Sequence, residues 1–354
     1  MYVGIDTHKA AHVLVAIDEL GQTLGARTIA NTPTGWAEAL TWVRERRCDQ
    51  VCWGVENSGS LGKGVAQFLV EQGEREVREI TPHRTAQYRR RGRSQDKTDP
   101  ADALAMARLL RAECEDLPRV QRDDISTELR LLSDHRDHLV AERTRLINQL
   151  HAQMLQIDPA YQARSGPLTR PRGVRYCQEL EVPGASAVMQ TRLRLVHQLA
   201  VRVRQVQADI AVVTADLAQR VRATGSPLTR LRGVGAVLAA RLIGELGATP
   251  RIHSAAALAA LAGIAPVAVA SGGRGGHRVN RGGNRQLNRV FHLIAACQRR
   301  WEPRAQAYYA KKRAEGKTAR AAMRCLKRRL VDVVYRLLQR AERAAPALVE
   351  AVAA

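Results

Sequence analysis

From Tyr2 to Arg111 the hydrophobic pattern changes period several times, and this alternation restricts the folds open to the chain. Tyr2-Val3-Gly4-Ile5-Asp6 reads as a short apolar strand that ends in an acid. His12 to Ile17 reads as a second strand and Ala26 to Ala30 as a third, with Gly21-Gln22 in the turn between them. Thr34 to Arg46 has helical spacing through Trp36, Leu40 and Val43, with Thr34 placed to cap it. Gln50 to Val55 is a strand of the fully buried type, followed by Glu56; Leu61 to Gln72 is helical, and Val77 to Ile80 is a fifth strand. The basic run Arg89-Arg90-Arg91-Gly92-Arg93 reads as a loop. After it, Lys97-Thr98-Asp99-Pro100-Ala101-Asp102 opens a helix reaching Arg111, with Pro100 in its first turn.

Three strands, then helix, strand, helix, strand, helix is the element order of a ribonuclease H-like (RuvC-like) fold, so the class is α/β at the N-terminus. In that arrangement the first and fourth strands are neighbours, which brings Asp6 and Glu56 to adjacent strand ends. Asp99 and Asp102, three residues apart, share one helix face and close the cluster. Acids at a helix start are favourable by themselves; the coincidence of all four at the expected places gives the signal its weight. Four carboxylates at one point cannot all ionise without cations. Hard oxygen ligands suit Mg²⁺ or Mn²⁺, and paired ions can clamp the attacking and leaving oxygens of a phosphodiester. Asp6, Glu56, Asp99 and Asp102 are therefore the expected metal ligands and catalytic acids. His8 is expected at the rim of that site and His12 on the surface.

Charge points to the partner. With 56 Lys and Arg against 34 Asp and Glu, the formal charge is +22, which calls for a polyanion. The excess is concentrated late in the chain, where residues 271 to 340 hold nineteen Lys or Arg against Glu302, Glu315 and Asp332. Arg89, Arg90, Arg91, Arg93, Lys97, Arg274, Arg278, Arg281, Arg285, Lys311, Lys312, Arg313, Lys327, Arg328 and Arg329 are the expected nucleic-acid contacts, positioning the phosphates without reading sequence. Two Phe, seven Tyr and four Trp argue against single-strand binding mainly by stacking. Six cysteines without a Cys-x-x-Cys read as reduced thiols of a cytoplasmic protein, and no apolar run suggests a membrane span.

Asp123 to Ile157 reads as a long polar helix with Leu132, Leu139 and Leu146 seven apart. Four prolines between 158 and 191 (Pro159, Pro167, Pro171, Pro183) suggest an irregular linker. Val196, Val203, Ile210 and Leu217 then repeat every seven residues. This seam is expected to pair between chains as a coiled coil giving a dimer or tetramer, an internal antiparallel hairpin against the preceding long helix being the alternative. The segment Leu231 to Leu242, with Gly233-Val234-Gly235, is expected to form a helix-hairpin-helix-like element that meets phosphate. The resulting division is 1–115, an acidic α/β domain; 116–225, a coiled-coil and linker region; and 226–345, a mostly helical domain.

In the last domain the apolar stretch after Gly263 ends at Ser271 and enters a Gly/Arg loop with Arg274, Arg278, Arg281 and Arg285. As a bland reading, Ser271 is a turn former. As a chemical one, a hydroxyl among guanidinium groups suits a nucleophile that forms a phosphoserine ester with DNA. The arginines would favour the alkoxide and stabilise the charged phosphorus transition state.

The set Gly4-Ile5-Asp6-x-x-Lys9, Val55-Glu56-x-x-Gly59, Lys97-Thr98-Asp99-x-x-Asp102-Ala103 and Gly263-x-x-Pro266-x-x-x-x-Ser271-Gly272 resembles the DEDD transposases of IS110-type insertion sequences, relatives of the Piv-type DNA invertases. The resemblance covers nearly the whole chain. It implies a recombinase that cleaves and exchanges strands of donor and target double-stranded DNA by phosphodiester transesterification. It also implies Mg²⁺ on the four acids, a covalent Ser271–DNA intermediate, guidance by a non-coding bridge RNA, and a homo-oligomer working at the bacterial nucleoid. A metal-only RuvC-like nuclease or resolvase is one alternative reading, and an inactive basic nucleic-acid-binding scaffold is another.

Overall fold

The computed structural model of the protein describes residues 1–91, 98–247, 252–271, 274–280 and 282–353. Arg93, Lys97 and Arg281, three of the expected phosphate contacts, lie outside the described residues. The chain divides into two units, 1–123 and 124–354.

The first unit runs β1 (Tyr2–Thr7), β2 (Ala11–Ile17), β3 (Thr23–Ala30), α1 (Pro33–Arg44), β4 (Cys52–Glu56), α2 (Lys63–Glu71), β5 (Glu76–Ile80), α3 (Pro82–Arg91) and α4 (Asp99–Glu113). Its five strands are ordered β3-β2-β1-β4-β5, with β1 antiparallel to β2 and parallel to β4. That is the order expected of a ribonuclease H-like sheet. Alternation along β1 sends Val3 and Ile5 into a core with Trp42 and Val43 of α1 and Val65 and Leu69 of α2. Gly4 faces the other way, where Met106 and Leu110 of α4 pack with Val15 and Ile80. A Cβ on Gly4 would stand 2.1 Å from the Ala103 carbonyl oxygen and 2.7 Å from the Ala107 nitrogen. Only a glycine lets α4 lie this close to the central strand.

Two expectations change here. The basic run from Arg89 is the end of α3, not a loop: Ala86, Gln87, Tyr88 and the arginines continue a helix begun at Pro82. Cys52 on β4 and Cys114 just after α4 form a disulfide, where six free thiols were expected; Cys48, Cys177, Cys297 and Cys325 are free. The partners stand 62 residues apart in sequence, so only the docking of α4 on the sheet brings them together.

The second unit is mostly helical: α5 (Ile125–Ile157), α6 (Tyr161–Ser165), α7 (Pro171–Gln178), α8 (Ala187–Ala223), α9 (Ala236–Leu246), α10 (Ala255–Leu261), β6 (Pro266–Ser271), β7 (Arg274–Val279), α11 (Arg285–Trp301), α12 (Pro303–Ala314) and α13 (Ala319–Ala353). The helices α5 and α8 run antiparallel. Their polar cross-links pair Glu128 with Arg220, Arg136 with Thr214, Glu142 with Arg202 and Gln153 with Arg192. Val196, Val203 and Ile210 of the heptad seam are buried with Leu139, Leu146, Leu150 and Met154 of α5. The seam is thus closed within the chain, and the expected pairing of this face with a second chain is replaced by the internal hairpin. A repeat of seven specifies a helical partner but not which chain supplies it.

The proline-rich insert is not irregular: α6 and α7 form there, Pro171 starting α7, and they bury Tyr161, Val174 and Cys177 against the α5–α8 pair. Of the expected helix-hairpin-helix, Leu231–Gly235 is a turn with Gly233 at φ 88°, and a single helix, α9, follows. The Gly/Arg segment expected as a loop includes β7, which pairs antiparallel with β6. No helix among the described residues is long and apolar enough to cross a membrane.

Replacing Gly4 with alanine is expected to destabilise the first unit by about 1–3 kcal/mol through overpacking against the α4 backbone. Gly59→Ala, whose Cβ would meet nothing within 4 Å, serves as the silent control. Urea unfolding followed by tryptophan fluorescence measures both.

Candidate functional site

The pairs Gly4↔Gly54 and Ile5↔Val55 bring β1 and β4 side by side. One step further lie Asp6 and Glu56, and the Thr7 hydroxyl ties the two strand ends by donating to the Glu56 carbonyl oxygen at 3.0 Å. Asp6 shares the strand face of Gly4, and Glu56 that of Gly54, which lies against Leu110 of α4. Both acids therefore belong to the face that α4 covers. Asn57, at φ 50°, turns the chain immediately after Glu56, a conformation that asparagine tolerates better than most residues.

The helix α4 starts where these strands end. Thr98 caps it, its hydroxyl accepting from the Ala101 N–H, and Asp99 and Asp102 occupy the first turn, where the helix dipole favours negative charge. His8, in the β1–β2 turn, places its Nε2 3.3 Å from Asp6 Oδ2 and 3.3 Å from Asp99 Oδ2. It stands at the rim, as expected. His12 does not lie on the surface: it is fully buried, accepts the His8 N–H on Nδ1 at 3.3 Å, and is held below the usual histidine range by burial. Its role is to hold the turn that carries His8.

The remaining two acids are held by α3. The Thr85 hydroxyl donates to Glu56 Oε1 at 2.9 Å, and the Arg89 guanidinium pairs with Asp102. Arg84 and Tyr88, on the same face, bond Glu113 at the far end of α4. Arg89 is thus engaged inside the site and is not a free phosphate contact, whereas Arg90 is exposed. Thr85 and the bridging part of Arg89 escape a reading by motif. Their signal is the spacing of four residues between Thr85 and Arg89, which becomes visible only once α3 is recognised as a helix.

Burial raises the Asp6 carboxyl to about 6, and the negative charges of Glu56, Asp102 and Asp99 add to the rise while His8 opposes it. The oxygens of Asp6 and Asp99 and the His8 Nε2 all lie within 4.8 Å of one another. Two hard carboxylate donors and an imidazole, crowded by further negative charge, form a donor set that fits a divalent cation.

In the second unit, β6 ends at Ser271, which pairs with Arg274 across the hairpin, while Val267 pairs with Arg278. By register, Ser271, Arg274 and Arg278 occupy positions on one face of the ladder. Arg285, Lys311 and Arg313 are exposed, but other expected phosphate contacts are engaged. Lys312 pairs with Glu315 and Arg328 with Asp332, while Arg329 lies 3.9 Å from Asp332. Lys327 is buried, its Nζ donating to Asn288 Oδ1 at 2.6 Å.

The raised Asp6 gives a pH prediction. An acid whose folded pKa lies above its unfolded value of 3.8 costs stability as pH rises from about 4 to 6, on the order of 3 kcal/mol once fully ionised. Without divalent ions, Asp6→Asn should match the wild type below pH 4 and exceed it in stability above pH 6, measured by urea unfolding across that range. Added Mg²⁺ should stabilise the wild type and leave the variant unchanged.

Two family models match the chain. One, described as a transposase of the DEDD type of IS110, covers residues 3–159; the other, "Transposase IS116/IS110/IS902 family", covers 225–310. The insertion element IS116 44.8 kDa protein of Streptomyces clavuligerus is 30% identical over 96% of this chain and 94% of its own length. The insertion element IS900 42 kDa protein of Mycobacterium paratuberculosis is 27% identical over 96% of both. On this similarity along almost its whole length, the chain belongs to the IS116/IS110/IS902 family of insertion-sequence transposases.

Proposed function

We propose that this transposase cleaves and exchanges DNA strands with the help of a divalent cation and a covalent Ser271–DNA ester. The observation that carries the reading is the convergence of Asp6, Glu56, Asp99 and Asp102 at one end of a ribonuclease H-like sheet, with Asp6 desolvated among the other three. Asp6 and Asp99, joined by Asp102 and Glu56, would hold Mg²⁺ or Mn²⁺, which supplies Lewis-acid stabilisation of charge on a phosphodiester. Arg89 and Thr85 keep Asp102 and Glu56 in place, and the Arg89 guanidinium balances part of the negative charge.

In the second unit, Ser271 is the nucleophile. Its Oγ–P bond forms as a P–O bond of the DNA backbone breaks, and the serine proton ends on the released deoxyribose oxygen. Arg274 and Arg278, on the same face of the hairpin, are the cations that would offset charge at phosphorus. The turn before α9, with its glycine-rich helix start, is proposed to meet a DNA phosphate. Residues 1–115, 116–225 and 226–345 divide the work into acid cluster, helical arm and serine-bearing domain. The bridge RNA that selects donor and target sites, and assembly as a dimer or tetramer, belong to the same proposal. The assembly contact would be a face other than the heptad seam, which α5 fills.

A labelled DNA end incubated with the protein and Mg²⁺, then denatured, should yield a protein-linked band with the wild type. Ser271→Ala should lose the band while retaining DNA binding, and Asp102→Asn should lower its formation by at least about a hundredfold. Cleavage without any adduct would indicate a metal-only nuclease, and full activity in Asp102→Asn would indicate that the acids are not catalytic.

A further inference from the structure

In the second unit a cavity of 490 Å³ opens between the Gly263–Pro266 turn and the helices α12 and α13. Its size lies within the range of about 300–1,000 Å³ common for small-ligand sites. Lys327 forms its floor, only 8% exposed, with its ammonium on Asn288 Oδ1. Asn288 in turn donates to the carbonyls of Ala262 at 2.9 Å and Gly263 at 3.2 Å, pinning the turn that leads into β6. A single neutral amide is a poor complement for a buried ammonium with three N–H donors.

The surrounding charges make the imbalance worse. Burial pushes the Lys327 ammonium below the usual lysine range, and the like charge of Arg324 adds to the fall. Among the described residues, Lys312 is matched by Glu315, which also attracts Lys317, and Arg328 by Asp332, whereas no carboxylate is paired with Lys327 or Arg324. Two cations without a carboxylate partner, Lys327 and Arg324, one of them buried, form a seat for an anion, with Lys317 beside them. Part of the lining is of another kind. It carries the Tyr308 ring, with Lys312 Nζ 5.6 Å and Arg329 Cζ 5.9 Å from its centroid, beside Ile264 and Pro266.

We propose that this cavity seats one nucleotide of a nucleic-acid strand, with its phosphate between Lys327, Arg324 and Lys317 and its base against Tyr308 and Ile264. A phosphate alone would leave the apolar wall unused, and an apolar ligand would leave the cations bare. Phosphate and aromatic contact together are what a nucleotide offers. The seat lies at the foot of β6, so its occupant would be held next to the strand that ends at Ser271. The proposal rests on reading the protein as an enzyme of nucleic acids, but it concerns binding alone and requires neither divalent ion nor cleavage.

Isothermal titration of the full chain with deoxyadenosine 5′-monophosphate, in the absence of divalent ions, tests it. One molecule should bind per chain; inorganic phosphate should compete, and deoxyadenosine at the same concentration should not bind. Arg324→Ala, which removes an exposed guanidinium without disturbing the core, should weaken binding at least about tenfold, and Tyr308→Leu by a similar factor. Unchanged melting temperatures would show both variants folded. Titration with the ribonucleotide in parallel assigns the source, since tighter binding of the deoxy form points to DNA and of the ribo form to RNA. Failure of the wild type to bind the nucleotide, or equal binding by wild type and Arg324→Ala, would overturn the seat. Either result would leave the transposase reading standing, because the adduct assay is independent of this titration.

Discussion

The approach of the α4 backbone to Gly4 is the contact on which the acid cluster depends. A side chain at this position would push the helix away from the central strand, and the helix start carries Asp99 and Asp102. With glycine there, the first turn of α4 comes to lie beside the ends of β1 and β4. The concentration of negative charge at that point is therefore a consequence of packing, imposed against electrostatic cost. Burial and three neighbouring carboxylates lift Asp6 to about 6, and the fold tolerates this because apolar contacts of Met106, Leu109 and Leu110 hold α4 in place.

The same cost explains α3. Its inner face supplies a hydroxyl to Glu56 and a guanidinium to Asp102, whereas among the described residues the side chain that meets Asp6 and Asp99 is the imidazole of His8. The cluster is thus divided into a half partnered by α3 and a half that the proposed cation would stabilise. Loss of one partner from a buried charged network generally costs more than the pair contributes, which makes Arg89 a structural necessity for the acids as much as a source of positive charge.

The sequence was most legible where a short-range pattern carries the physics. Alternation and helical spacing locate the five strands and α1, α2 and α4, and the acids at their ends follow from neighbouring strands in a known order. It was least legible where a residue's role depends on what packs over it. The arginines from Arg89 look like a loop until Thr85 and Arg89 are seen to face α4. His12 looks like a surface histidine until the β1–β2 turn folds over it. Cys52 and Cys114 look unrelated until α4 docks, and Lys327 resembles its exposed neighbours although it is a buried cation beneath the Gly263 turn. The heptad seam is the clearest case. Its period predicts a helical partner correctly, but both α5 and a second chain satisfy that period, and only the tertiary fold decides for α5.

The central claim is that Asp6 and Asp99 form one divalent-cation site. Binding of Mn²⁺ to the full chain, followed by the loss of free-ion electron paramagnetic resonance signal, tests it most directly. Saturable binding by the wild type, weakened at least about tenfold in both Asp6→Asn and Asp99→Asn, is the result the account predicts. Binding of equal strength in the wild type and both variants would contradict it.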